Sequence, residues 1–174
     1  MKILVVIPAK GNSRRLPKKN IHEVGGKPMI HWAVKACKDS KHDLDIWVNT
    51  DSDEIVDVVS KYDVNVHRRN EKLLDPEIFK MEIIRDTLLH VSKNYYNPYL
   101  VISLQANSPE ITGKDLDGAI DMLVRNKLNE VFSVDDNMVQ NGAIRVMKSI
   151  YAFQRDLSTY CGVYVCNLVD VHYK

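Results

Sequence analysis

Short, unbroken apolar runs alternating with amphipathic stretches govern what this chain can fold into. Ile3-Leu4-Val5-Val6-Ile7 and Tyr99-Leu100-Val101-Ile102-Ser103-Leu104 are continuous and largely β-branched, the pattern of strands covered on both faces. Between and after them, apolar residues recur at helical spacing. The stretch from Pro28 to Ser40 puts Met29, Ile30, Ala33, Val34 and Cys37 on one face. Glu77 to His90 does the same with Ile78, Met81, Ile84 and Leu88, and Gly113 to Asn126 with Leu116, Ala119, Ile120 and Leu123. Further strands are expected at 45–49, 64–66 and 131–134, with Asp51 or Ser52 capping a helix that runs to about Lys61. Past residue 135 the periodicity weakens. Asn141-Gly142 reads as a turn, 143–147 and 162–168 as strands, and 148–155 as a short helix. Strands alternating with helices predict βαβ units: an α/β fold of three α/β/α layers around a mainly parallel sheet. At 174 residues the chain is expected to form one domain.

Composition narrows the function classes. The chain carries 24 basic and 23 acidic residues, a balance that argues against the basic excess of a nucleic-acid binder. No apolar run approaches the length of a membrane span and no leader is visible, so no membrane partner and a cytoplasmic location are expected. Cys37, Cys161 and Cys166 lack metal-ligand spacing and read as reduced thiols in or near the core. Trp32 and Trp47 read as core residues, Tyr95 and Tyr96 as aromatic anchors of a loop.

In open α/β sheets ligands bind beyond the carboxyl ends of the strands. Function is therefore expected at 8–20, 50–51, 68–69, 105–109 and near Asp170. The first of these segments is distinctive. Lys10, Arg14, Arg15, Lys18 and Lys19 give five cations and no acid between positions 10 and 19. Such a concentration in a balanced chain points to an anion site, in which backbone N–H groups of Gly11, Asn12 and Ser13 face phosphate oxygens and the cations neutralise them. The segment is neither a P-loop nor a dinucleotide fingerprint. From the residues alone, a solvated basic loop remains the alternative.

The stretch Val6-Ile7-Pro8-Ala9-Lys10-Gly11-Asn12-Ser13-Arg14-Arg15-Leu16-Pro17-Lys18-Lys19-Asn20 resembles the signature loop of the acylneuraminate cytidylyltransferases, also called CMP-sialic acid synthetases. Trp47-Val48-Asn49-Thr50-Asp51-Ser52-Asp53-Glu54-Ile55, Val66-His67-Arg68-Arg69, Leu104-Gln105-Ala106-Asn107-Ser108-Pro109 and Asn141-Gly142-Ala143-Ile144 resemble four further segments of that family in the same order. The likeness covers roughly residues 1 to 134 well and the rest patchily. It implies a Rossmann-like nucleotidyltransferase fold and a single nucleotidyltransferase domain over 1–174. It also implies a reaction in which the anomeric hydroxyl of an acidic sugar, of the sialic-acid or 3-deoxy-2-keto type, attacks the α-phosphate of CTP, giving a CMP-sugar and pyrophosphate. A divalent ion, Mg²⁺ with Mn²⁺ as the alternative, would neutralise phosphate charge. The partners implied are CTP, the sugar and a second copy of the chain in a homodimer.

The resemblance also assigns roles. Lys10 and Lys19 become the catalytic, triphosphate-binding cations. Ala9, Gly11, Asn12, Ser13, Arg14 and Asn20 complete the nucleotide loop, while Arg69 and Gln105 line the cytosine pocket. Asn141 falls near the acceptor sugar, and Asp170 with His172 stands where the family has its metal-binding Asp-x-Asp pair. Lys10 in place of Arg, Asn12 in place of Gly and His172 in place of Asp depart from the family pattern. Where relatives carry a long excursion that helps form the dimer and closes over the sugar, this chain has only Asp135 to Gln140. Two other readings stay open: a non-catalytic nucleotide-binding module, and a nucleotidyltransferase for another nucleotide or a small acceptor.

Overall fold

A computed structural model describes residues 1–11, 16–75, 77–166 and 168. Its strands are β1 (Ile3–Ala9), β2 (Glu23–Val24), β3 (Lys27–Pro28), β4 (Leu44–Thr50), β5 (Asn65–Arg68), β6 (Leu100–Leu104), β7 (Glu130–Val134), β8 (Gln140–Lys148) and β9 (Cys161–Val165). Its α-helices are α1 (Met29–Lys38), α2 (Asp53–Val59), α3 (Lys80–Asn94) and α4 (Gly113–Arg125). β2 and β3 form a small hairpin, and the other seven strands make one sheet in the order β5-β4-β1-β6-β8-β7-β9. β5, β4, β1 and β6 pair in parallel; β8 is antiparallel to both β6 and β7, and β9 is parallel to β7. The mainly parallel sheet expected from the alternation is present, with one reversed strand.

The two faces of β1 explain the layers. Side chains alternate across a strand, so Ile3, Val5 and Ile7 pack with Ile30, Val34, Ile55, Leu116 and Ile120 on the face covered by α1, α2 and α4. Leu4 and Val6 pack with Trp47, Met81, Ile84 and Leu88 on the face covered by α3. Burial on both faces is why the run carries no polar residue; each such side chain contributes roughly 1.5–3 kcal/mol on leaving water.

Local chemistry sets the helix starts. At α4, Thr112 and Asp115 form a reciprocal capping box. At α2 the cap is Ser52, whose hydroxyl accepts from the Ile55 N–H at 3.4 Å, and not Asp51.

The short helix expected over 148–155 is a 3₁₀ helix at Ser149–Phe153. Three other expectations are corrected beyond small boundary shifts. Asn141-Gly142 is no turn but lies inside β8, where Gly142 has φ +68° next to an irregularity in the β7–β8 register. The chain reverses earlier, where the Asp135 carboxylate accepts from the N–H groups of Asn137 and Val139, both at 2.9 Å. Trp47 is in the core, but Trp32 is only partly buried, with its Nε1 donating to the Val24 carbonyl at 2.9 Å. Cys37 and Cys166 are buried, whereas Cys161 is exposed on β9. No helix among the described residues is long and apolar enough to cross a membrane.

Candidate active site

β1, β4, β5 and β6 all run the same way, so their carboxyl ends share one edge of the sheet. Lys10, Asp51, Arg69 and Gln105 follow those ends. Because β8 runs the other way, it brings its beginning, Asn141-Gly142, to that edge; Gln105 N–H donates to the Ala143 carbonyl at 2.9 Å and extends the β6–β8 ladder by one step.

The loop after β1 is fastened at both ends. The Gly11 N–H donates to Asp51 Oδ1 at 2.7 Å. A Cβ at Gly11 would come within 2.5 Å of the Ser52 Cβ, so only glycine lets the chain lie this close to the β4–α2 connection. That amide is thereby turned toward Asp51 and away from the phosphate role expected of it. Asn20, only 6% exposed, donates from Nδ2 to the Lys10 carbonyl at 2.9 Å and ties the 3₁₀ turn Lys19–Ile21 back to the strand end. Lys10 and Lys19 are half-buried, whereas Lys18 is exposed and pairs with Glu54 at 2.6 Å. Ala9 is fully buried as the last residue of β1. Asn12, Ser13 and Arg14 lie outside the described residues.

On the β4 side, Arg69 is 8% exposed and held in a fixed pose. Its Nε donates to Asn49 Oδ1 at 2.9 Å and its Nη2 to the Asn49 carbonyl at 3.2 Å. Asn49 is itself fixed by Nδ2 donating to Thr87 Oγ1 at 3.0 Å. Burial lowers the Arg69 pKa, with Asp51 and Asp86 opposing that shift; a guanidinium stays charged regardless. Gln105 donates from Nε2 to Asn107 Oδ1 at 2.9 Å. Arg69 leans on β4 while Gln105 belongs to the β6–β8 boundary, two strand spacings away, or roughly 10 Å. The two residues expected to share one cytosine pocket thus bracket the end of β1.

Asn141 is engaged at both ends of its amide. Oδ1 accepts from the Ser133 hydroxyl at 2.5 Å and from the Ala143 N–H at 3.2 Å, and Nδ2 donates to the Cys166 carbonyl at 2.7 Å. It braces β7, β8 and the segment after β9. Beside it stands a residue that the sequence did not single out. Lys80, the first residue of α3, donates from Nζ to the Gly142 carbonyl at 2.8 Å. Burial, then the neighbouring Arg145 charge, lowers its pKa to about 8. Nothing in the helical spacing around it marks this residue; the placement of β8 beside α3 does.

Asp170 and His172 lie outside the described residues. Among the described residues no cluster of three or more His, Cys, Asp or Glu side chains suits a metal ion. Among the described residues, one buried hard donor, Glu110 Oε2, has no hydrogen-bond partner. Burial, then the Asp115 and Glu110 charges, raises the Cys166 pKa to about 11.

A family model described as cytidylyltransferase matches residues 4–157. N-acylneuraminate cytidylyltransferase A of Danio rerio is 30% identical over 132 residues, which cover 76% of this chain and 30% of that protein. The matched part of this chain thus spans less than a third of that curated relative's length. Among solved structures, a cytidylyltransferase from Leptospira borgpetersenii superposes with a TM-score of 0.72 at 20% identity, over 98% of this chain and 78% of that one. CMP:2-keto-3-deoxy-manno-octonic acid synthetase, complexed with CTP, superposes with a TM-score of 0.66 at 22% identity, over 78% and 53% of the two chains. These likenesses show an α/β nucleotidyltransferase fold.

Proposed function

We propose that this chain, which belongs to the cytidylyltransferase family, transfers CMP from CTP to an acidic sugar with release of pyrophosphate. The observation that carries the reading is the pair of half-buried cations, Lys10 and Lys19, on a loop fastened by Gly11 and Asn20 at the carboxyl edge of the sheet. Little covalent chemistry falls to the protein in such a transfer; positioning and charge stabilisation are its task.

The sugar's anomeric hydroxyl gives up its proton to solvent and forms a bond to the α-phosphorus as the bond to the bridging oxygen of the β-phosphate breaks, and the leaving pyrophosphate carries that electron pair. Lys10 and Lys19 hold the triphosphate and stabilise the charge that develops on it, with Ala9, Gly11, Asn12, Ser13 and Arg14 shaping the loop and Asn20 keeping it against β1. Arg69 supplies donors on the β4 side, where its geometry is fixed before any ligand arrives; Gln105 supplies an amide on the β6 side. These suit the acceptors and the amino donor of a cytosine edge. Asn141 keeps β8 in place beneath the acceptor. Asp170 and His172 are the residues that would hold a divalent ion, Mg²⁺ or Mn²⁺, and the unmet oxygen of Glu110 is a donor of the hard type such a cation takes. Such an ion would neutralise charge on the phosphate oxygens.

The test is pyrophosphate release from CTP, UTP, ATP and GTP with N-acetylneuraminate or 3-deoxy-manno-octulosonate, in Mg²⁺ and in Mn²⁺. Release is expected with CTP alone, and Lys19→Ala should lower kcat/KM about a hundredfold. Tight CTP binding without turnover would establish a non-catalytic module instead. Better turnover with UTP or GTP would overturn the cytosine assignment.

A further inference from the structure

Lysine side chains ordinarily bury their stems and leave the ammonium in water. The half-buried Lys80 instead turns its ammonium toward the protein. Its Nζ reaches under β8, and the Gly142 carbonyl is its one hydrogen-bond partner among the described residues, although an ammonium carries three donors. No described carboxylate lies within ion-pair distance. The charge that acts on it is Arg145, a second cation, and Arg145 is already matched by the buried Glu130 at 2.6 Å. The positive end of α3 adds to the same field, and Phe79 offers that helix end no side-chain cap. A desolvated cation with no acid beside it is costly to the unliganded fold, and an incoming anion relieves that cost.

Its location indicates which anion. The loop bearing Lys10 and Lys19 leans toward the β4–α2 connection, where Gly11 bonds Asp51 and Lys18 bonds Glu54. Lys80 stands on the other side of β1's end, at the β6–β8 boundary. A Cβ on Gly142 would lie 3.7 Å from Nζ and 3.8 Å from Gln105 Oε1, so that glycine sits between the ammonium and the Gln105 amide. We propose that Lys80 binds the carboxylate of the acceptor sugar beside Gln105, and so selects acidic over neutral acceptors. The identity of the acceptor rests on the function proposed above; the anion site itself rests on the geometry of Lys80.

The test compares wild type with Lys80→Met and Lys80→Arg. It uses N-acetylneuraminate, 3-deoxy-manno-octulosonate and the methyl ester of each. CTP affinity is measured by calorimetry and acceptor KM by pyrophosphate release. Lys80→Met should leave the Kd for CTP within threefold, raise the KM for the acids at least tenfold and abolish the preference for acid over ester. Lys80→Arg should restore part of that preference. A tenfold loss of CTP affinity with the acid preference intact would make Lys80 a nucleotide contact and overturn the proposal, as would no change in either. If wild type releases no pyrophosphate, the proposed function fails. Direct titration of the two acids then decides the Lys80 site: binding lost in Lys80→Met sustains it, and no binding to wild type overturns it.

Discussion

The two flanks of the sheet are held by different forces. β5, β4, β1 and β6 meet through parallel ladders, and in β1 and β6 nearly every side chain is buried and apolar. β8, β7 and β9 are instead tied by polar clamps. Glu130, 1% exposed, accepts from Arg145 through both Nε and Nη2 and from the Ser158 N–H. Ser133 donates to Asn141 and accepts from the Ile144 N–H, and Asn141 reaches on to Cys166. The difference follows from what each flank must do. Apolar packing is non-directional and tolerates small shifts. Clamps made of charged and amide groups fix one register, which a reversed strand with an irregular ladder needs if its start is to meet Lys80.

The largest expected effect breaks the polar flank. Glu130→Ala leaves the half-buried Arg145 and the Ser158 N–H without their partner and should cost about 3–5 kcal/mol, read by denaturant unfolding. Ile102→Val, the small-volume control in the apolar flank, should cost about 0.5–1.5 kcal/mol. Equal losses would erase the contrast between the flanks.

Lys80→Met sharpens it from the other side. Removing an unmatched ammonium should stabilise the unliganded protein by about 1–3 kcal/mol at pH 7. The sign of the pH dependence follows from the lowered pKa: the folded state releases the Lys80 proton near pH 8 while the unfolded chain keeps it to about 10.5. Wild-type stability should therefore rise relative to the variant between these values, and the gap should close; a gap independent of pH would contradict a buried charge.

In the loop after β1, Gly11→Ala forces the chain away from Ser52 and, on the proposed function, should weaken CTP binding by on the order of tenfold to a hundredfold, with a smaller change in stability. The smallest effect belongs to Lys18→Ala. Its partner Glu54 is exposed, and its loss should change stability by less than about 0.5 kcal/mol.

The same contrast explains what the sequence made legible. β1 and β6 announce themselves because burial on both faces leaves runs that are apolar but for Ser103, and α4 because its apolar stripe is regular. The loop with Lys10 and Lys19 could be placed because five cations follow a buried strand. β8 was misread. Its glycine at φ +68° imitates a turn, and its pairing with β6 depends on residues far away in sequence. Lys80 was invisible for the same reason, since its meaning comes from the Gly142 carbonyl, 62 positions away. Asn141 drew attention as part of a motif, yet its hydrogen bonds give it a bracing position. Arg69 and Gln105 were placed on the correct edge, but nothing local to either sequence segment shows that β1's end lies between them.

The reversed strand also sets an order of assembly. Ile3 must find Leu100 across most of the chain, whereas Val134 meets Gln140 around a short turn. Local pairings close quickly and distant ones slowly, so the β7–β8 hairpin can form as a unit and dock on β6 afterwards. Until it docks, Gly142 is not beside Lys80. On the function proposed above, any defect that delays hairpin docking should impair acceptor recognition more than CTP binding.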